Sequence, residues 1–165
     1  LVPGGVLLNA GVHTLDSILY WLGDPVSFDY KDDAVGGLES NCAMTLVFAQ
    51  GATASFEISR TCNLPYAIEV HAERGSLTFS TNATCEYTVT APLGAQPEKK
   101  SLAPVSLRDC VAEQYRDFAE AIKNRSYPFV HGAEGSRVIE WVDAMYASKR
   151  ARPLPAAAPF PGHMW

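Results

Sequence analysis

The chain has 165 residues, of which 47% are hydrophobic and 19% are charged, a composition typical of a soluble globular protein with room for a core. Its formal net charge of -5 argues against a nucleic-acid-binding protein, because phosphate contacts require clustered Lys and Arg. No apolar run approaches the roughly 20 residues that span a bilayer, and the first residues do not resemble a signal peptide. We therefore expect a cytoplasmic protein that binds neither nucleic acid nor membrane.

The four cysteines are widely spaced and form no CxxC pair, unlike the ligands of a zinc site. They are Cys42, Cys62, Cys85 and Cys110. An even number of cysteines permits two disulfides, but without a secretory signal we favour four buried, reduced thiols. No metal site is expected.

The first predicted element is a helix from about Val6 to Leu22. Its apolar stripe consists of Leu8, Val12, Leu15, Leu19 and Leu22. Gly23 and Pro25 then end the helix.

Six strands are predicted next, at residues 26–32, 40–49, 52–62, 66–72, 76–80 and 85–91. Glycines at Gly51 and Gly75 indicate tight turns, so neighbouring strands should be antiparallel. Side chains alternate between an apolar face and a polar one. The apolar face carries Phe56, Ile58, Ile68 and Val89, and the polar face carries Thr53, Ser55, Glu57, Glu69, Thr88 and Thr90.

Two further helices are predicted at about Leu107–Asn124 and Gly135–Arg150. Their expected buried stripes are Val111, Tyr115, Phe118, Ala119 and Ile122 in the first, and Val138, Ile139, Val142, Met145 and Tyr146 in the second. This order predicts an α+β fold, a mainly antiparallel open sheet of about six strands with helices covering one face. The domain spans residues 1–151, and a Pro/Ala-rich tail follows at 152–165.

Asn9, His13 and Asp16 lie at i, i+4 and i+7 of the first helix, which places them on one side. A histidine exchanges protons near neutral pH, and a carboxylate one turn away can orient its ring. His13 is therefore a candidate general base. The alternative interpretation is a solvated helix face with an incidental histidine.

Longer motifs extend beyond this helix. Residues 4–16 read GGVLLNAGVHTLD and are followed by YWLG at 20–23; residues 48–52 read FAQGA and residues 73–77 read ERGSL. Residues 118–122 read FAEAI, and Leu154-Pro155 follows the last helix. In this order the motifs resemble the C-terminal domain of the glucose–fructose oxidoreductase, inositol dehydrogenase and MocA family.

The resemblance implies hydride transfer between NAD or NADP and a sugar, polyol or related hydroxy compound. The cofactor would lie on a separate Rossmann domain, and His13 would take the hydroxyl proton. Asp16 would be its helix neighbour or a structural anchor. Asn9 stands where many members have Asp; an amide can bind a substrate hydroxyl but cannot take its proton.

A G-x-G-x-x-G turn is missing from the sequence, so no residue is assigned to cofactor binding and no Rossmann domain is expected in this chain. We read the chain as truncated at its start and expect it to bind no dinucleotide and to be inactive alone. Its expected partners are the missing Rossmann domain and a small-molecule substrate. The alternative is a non-enzymatic oligomerisation or small-molecule-binding module that retains only the sheet domain.

The polar sheet face also suggests an assembly, because three helices can cover only one side of such a sheet. In the resembled family the open face is the usual subunit contact. We therefore expect a homodimer or tetramer formed sheet against sheet. Glu57, Glu69 and Glu86 would lie at its rim or pair with Arg60 or Lys31.

Overall fold

A computed structural model describes residues 4–80, 86–92 and 94–151 of the chain. The helices are a π-helical turn at Leu7–Gly11 followed by α1 (Val12–Leu22), then α2 (Leu107–Asn124) and α3 (Gly132–Ala151). The strands are β1 (Pro25–Asp32), β2 (Asn41–Phe48), β3 (Thr53–Ser59), β4 (Ala67–Ala72), β5 (Gly75–Ser80), β6 (Glu86–Thr90) and β7 (Glu98–Ser101). The described residues form two compact units, one from residues 4–64 and 130–151 and the other from within residues 65–129.

The first unit contains a three-stranded antiparallel sheet in the order β1-β2-β3. Residues paired across the three strands, such as Tyr30, Met44 and Phe56, have their side chains on the same face of the sheet. That face packs against the π-helical turn, α1 and α3. The resulting core contains Val6, Leu7, Leu15, Ile18, Leu19, Tyr30, Cys42, Met44, Leu46, Phe48, Val138, Val142 and Met145.

The predicted apolar stripe of the first helix is confirmed, since Leu15 and Leu19 are buried and its other members pack against the same core. In α3 the stripe is narrower than predicted. Val138, Val142 and Met145 are buried, whereas Ile139 is exposed. One residue along a helix turns the side chain by about 100°, which carries Ile139 away from the sheet.

Glu39 connects the start of the first helix to the core. Its backbone oxygen accepts from the Val6 N–H, and its buried carboxylate accepts from the Leu7 N–H and from the Tyr146 hydroxyl at 2.6 Å. A Cβ at Gly5 would overlap the Glu39 oxygens, so this contact requires glycine. Glu39 therefore fixes where the helix that carries His13 begins.

The second unit contains a four-stranded antiparallel sheet in the order β4-β5-β6-β7. Ile68, Phe79 and Tyr87 lie in register on one face of β4, β5 and β6. Burial does not follow the predicted alternation there, since all of β5 is half-buried and Val70 of β4 is exposed. Strand β7, with the sequence EKKS, is not among the six predicted strands because it has no apolar alternation; it forms by backbone pairing with β6.

Helix α2 begins at Ser106, whose side chain accepts from the Asp109 N–H, and ends at Arg125 in the left-handed conformation. Its expected stripe is not buried. Val111, Tyr115, Phe118 and Ile122 are all exposed, and Ala121 is the one buried residue of α2. The periodicity identified the apolar face correctly, but no described element covers it.

The α+β class and the antiparallel arrangement are confirmed, with the strands divided between two sheets of three and four. The expectation of four buried thiols is wrong, because Cys42 is buried but Cys62 is half-buried and Cys110 lies exposed on α2. Cys85 and the tail 152–165 lie outside the described residues. Within the described part of the chain, no helix is long and apolar enough to cross a bilayer.

Candidate functional site

The exposed side of α1 carries the candidate base. His13 lies in the first turn, with Asp16 and Tyr20 further along, and all three side chains are exposed. Leu15 and Leu19 occupy the opposite side and are buried. The polar row of α1, formed by His13, Asp16 and Tyr20, is therefore accessible to a ligand.

No hydrogen bond or ion pair joins His13 to Asp16, although both residues belong to the described part of the chain. The Ser17 hydroxyl instead donates to the backbone oxygen of His13 at 3.0 Å. In this conformation Asp16 does not orient the imidazole.

Asn9 lies in the π-helical turn, and its Oδ1 accepts a 2.7 Å hydrogen bond from Nη2 of Arg60. Arg60 directly follows β3. Gly11 lies close to the core here, since a Cβ there would lie 2.7 Å from Cδ1 of Leu7 and 3.1 Å from Cδ1 of Ile58. The turn that carries Asn9 therefore packs tightly beside β3, the strand that Arg60 follows.

Arg60 is the site residue that sequence reasoning missed. Within the chain, Arg60 contacts Asn9 and Lys31 pairs with Asp29 at 3.2 Å. The expectation that Glu57, Glu69 and Glu86 lie at the rim of an assembly or pair there with Arg60 or Lys31 stays a prediction. A basic residue directly after a strand carries no signal of its own, because its 51-residue separation from Asn9 is closed only by the fold.

A shallow depression of about 330 Å³ lies near the other end of α1, lined by Asp24, Arg137, Glu140, Trp141 and Ala144. Asp24 accepts from Arg137 at 2.7 Å and from Trp141 at 3.1 Å, and these hydrogen bonds lower the pKa of its carboxyl. Asp24 lies beyond the C-terminal end of α1, whereas His13 lies in its first turn, nine residues or about 14 Å before Leu22. The depression is therefore separate from the His13 side chain.

All strand pairs among the described residues are antiparallel, whereas the dinucleotide crevice of a Rossmann fold forms at parallel strands followed by helices. Among these residues, no three His, Cys, Asp or Glu side chains are grouped as metal ligands.

A family profile described as the C-terminal alpha/beta domain of an oxidoreductase family matches residues 3–155. The chain belongs to the glucose–fructose oxidoreductase, inositol dehydrogenase and MocA family. The resemblance drawn from the motifs is thus confirmed. No curated protein sequence matches the chain significantly.

Solved structures share the fold of this oxidoreductase domain. The aldose–aldose oxidoreductase of Caulobacter crescentus, in complex with glycerol, is 22% identical with a TM-score of 0.74 over 90% of this chain and 46% of its own. Levoglucosan dehydrogenase with NADH and levoglucosan is 18% identical with a TM-score of 0.73, over 87% and 47%. An Agrobacterium radiobacter oxidoreductase in complex with NAD+, L-tartaric acid and magnesium is 20% identical with a TM-score of 0.70, over 90% and 49%. The chain therefore spans about half the length of these proteins.

Proposed function

We propose that this chain is the substrate-side domain of an NAD(P)-dependent oxidoreductase that acts on a sugar, polyol or related hydroxy compound, with His13 as general base. The observation that carries the proposal is the position of His13, exposed on α1 opposite the buried stripe, in a member of this oxidoreductase family. Two structural neighbours, the aldose–aldose oxidoreductase and levoglucosan dehydrogenase, are named for sugar substrates.

In the proposed reaction a carbinol carbon loses its hydride to a nicotinamide and becomes a carbonyl. His13 takes the hydroxyl proton on a ring nitrogen, for which its exposed imidazole has room. Asn9 and Arg60 would hold an adjacent substrate group, since the amide and guanidinium retain free donors beyond their mutual hydrogen bond. Asp16 stays a candidate helix anchor or ring-orienting neighbour.

The cofactor, NAD or NADP, would be held by a Rossmann domain, the proposed partner of this chain. The lengths of the neighbours leave room for such a domain, because each is about twice as long as the part that matches. We also expect the protein to be cytoplasmic.

The test of the base is His13→Ala in the polypeptide that joins this chain to its cofactor domain. We expect kcat for polyol oxidation to fall about 10²–10⁴-fold with the unfolding midpoint unchanged, because the side chain is exposed. His71→Ala, an exposed histidine in the second unit, is the matched control and should retain kcat. Equal kcat in the His13 variant and the wild type would contradict the assignment.

The cofactor assignment is tested on the 165-residue chain alone. Calorimetry with NAD and with NADP at millimolar concentration should give no saturable heat, because the phosphate-cradling turn is missing. Saturable binding at micromolar concentration would instead favour a module that holds the nucleotide itself.

The homo-oligomer was expected on the polar face of a single six-stranded sheet; since the strands form two sheets, we now propose the outer face of the β1-β2-β3 sheet. That face is polar, with exposed Thr45, Thr53, Ser55 and Glu57, and with Thr45 hydrogen-bonded to Ser55 at 3.0 Å. We expect light scattering at micromolar concentration to show a dimer or tetramer, and Ser55→Arg to dissociate it. A wild-type monomer would leave this face solvated.

A further inference from the structure

Arg60 differs from Arg116 and Arg137 in the group that it contacts. Arg116 pairs with Glu113, and Arg137 pairs with Asp24 at 2.7 Å. The exposed guanidinium of Arg60 instead donates to a neutral amide, that of Asn9. Among the described residues, no carboxylate lies within ion-pairing distance of Arg60. Its positive charge is therefore not compensated.

The backbone that presents Arg60 is fixed by a small hydrogen-bonded network. The Arg60 N–H donates to the Ser40 oxygen at 2.9 Å. The Ser59 hydroxyl accepts from the N–H groups of Thr61 and Cys62, and donates to the side chain of Asn41, which is 8% exposed. A fixed backbone and the hydrogen bond to Asn9 lower the cost of ordering the Arg60 side chain when it binds a ligand.

The position of Arg60 relative to His13 is set by Asn9. Asn9 precedes His13 by four residues, about 6 Å along a helix. A substrate whose reacting hydroxyl lies at His13 would therefore extend over about one helical turn to bring a second group near Arg60. A guanidinium has five N–H donors in a planar fork suited to carboxylate and phosphate, and the amide uses one of them.

We propose that Arg60, positioned by Asn9, is a specificity-determining residue that binds an oxyanion, so that the preferred ligand is an anionic polyol such as a sugar acid or sugar phosphate. The placement of the reacting hydroxyl rests on the proposed function. The oxyanion site rests only on the Asn9–Arg60 geometry and the uncompensated charge.

The experiment titrates the 165-residue chain with D-gluconate, with the uncharged analogue D-glucitol and with D-glucose 6-phosphate, at constant ionic strength set with KCl. NMR shifts of the Arg60 Nε–H and the Asn9 side-chain amide report binding at this position and detect millimolar affinity. We expect at least one of the two anions to bind about 10-fold or more tightly than glucitol, since a charge-assisted hydrogen bond contributes about 1.5–3 kcal/mol. Tighter binding of gluconate identifies a carboxylate site, and tighter binding of the phosphate ester a phosphate site.

Three variants separate this site from a general charge effect. Arg60→Gln should abolish the preference, whereas Arg74→Gln, which removes the same charge from an exposed turn of the second unit, should keep it. Asn9→Asp preserves the shape of the side chain but gives Arg60 a counter-ion, so it should also lower the preference about 10-fold or more. Equal binding of the three ligands, or a preference that survives Arg60→Gln, overturns the proposal.

The two proposals fail separately, because the titration requires no turnover. Anion binding at Arg60 without dehydrogenase activity would retain the oxyanion site and remove the proposed function. Dehydrogenase activity that depends on His13 but shows no preference between gluconate and glucitol would retain the proposed function and remove the oxyanion site.

Discussion

The two units of this chain contain similar elements but bury them differently. In the first unit the stripes of α1 and α3 close over one face of a three-stranded sheet, and Leu15, Phe48 and Met145 are at most 1% exposed. In the second unit α2 has an equally regular stripe, yet Tyr115 and Phe118 are 73% and 55% exposed. Amphipathic periodicity thus identifies an apolar face without saying whether the same chain covers it.

The largest expected difference between the units is in thiol reactivity. Cys42 is fully buried in the first unit. Its burial, and to a smaller extent the nearby negative charges of Glu39 and Asp32, raise the pKa of its thiol to about 12. Cys110 is exposed on α2. With iodoacetamide at pH 8, we expect Cys110 to react at least about 10³-fold faster than Cys42, because the buried Cys42 thiol reacts only when the protein unfolds. Peptide mass spectrometry over time measures both rates, and a protected Cys110 would mean that α2 is covered in solution.

Phenylalanine truncation compares the same units by stability. Phe48→Ala should lower the free energy of unfolding by about 3–5 kcal/mol, because it leaves a cavity in a closed core. Phe118→Ala should cost under about 1 kcal/mol, since more than half of that side chain is exposed. Urea denaturation followed by circular dichroism measures both. Similar losses would contradict the difference in burial.

Removal of the Glu39 carboxylate should have the next largest effect. Glu39→Ala leaves the Leu7 N–H and the Tyr146 hydroxyl without their partner, so we expect a loss of about 2–4 kcal/mol in the free energy of unfolding. Glu39→Gln keeps an acceptor oxygen and should lose less. Glu57→Ala, on the exposed face of β3, is the control and should remain within about 0.5 kcal/mol of wild type.

The smallest expected effect is the acid sensitivity of the first unit through Asp33. Burial alone would raise the pKa of this carboxyl, but the N–H groups of Asn41 and Ser40 and the Asn41 side chain together hold it below its usual 3.8. A lowered pKa in the folded state stabilises the fold above pH about 4, and this contribution is lost as pH falls through the folded value. Thermal melts from pH 6 to pH 2 should show that the wild type loses up to about 1.5 kcal/mol in free energy of unfolding relative to Asp33→Asn. The loss is limited because Asp33 is partly exposed. A difference independent of pH would remove this role.

Most local features could be predicted from the residues themselves. The α1 stripe and the alternation of β3 depend on the spacing of apolar side chains, which backbone geometry converts directly into a face. The strand β7 could not be predicted this way, since EKKS has no apolar alternation and forms only by pairing with β6. The exposure of Ile139 and of the α2 stripe depends on neighbouring elements.

The candidate site divides in the same way. His13, Asp16 and Asn9 could be selected because they lie within one helix, where a spacing of three or four residues places side chains on the same side. Arg60 could not, because it lies 51 residues from Asn9 in the chain and only the fold brings the two side chains together.

The sequence by itself determined the α+β class, the antiparallel strands, the family and the helix that carries the proposed base, because each depends on local spacing or on motifs in a fixed order. The tertiary structure alone decided which apolar faces are buried and that the strands form two sheets. It also decided that Arg60 contacts Asn9, whereas no hydrogen bond or ion pair joins Asp16 to His13 within the described part of the chain. These features require residues far apart in the chain to meet, and the free energy of such contacts depends on packing that no single segment contains.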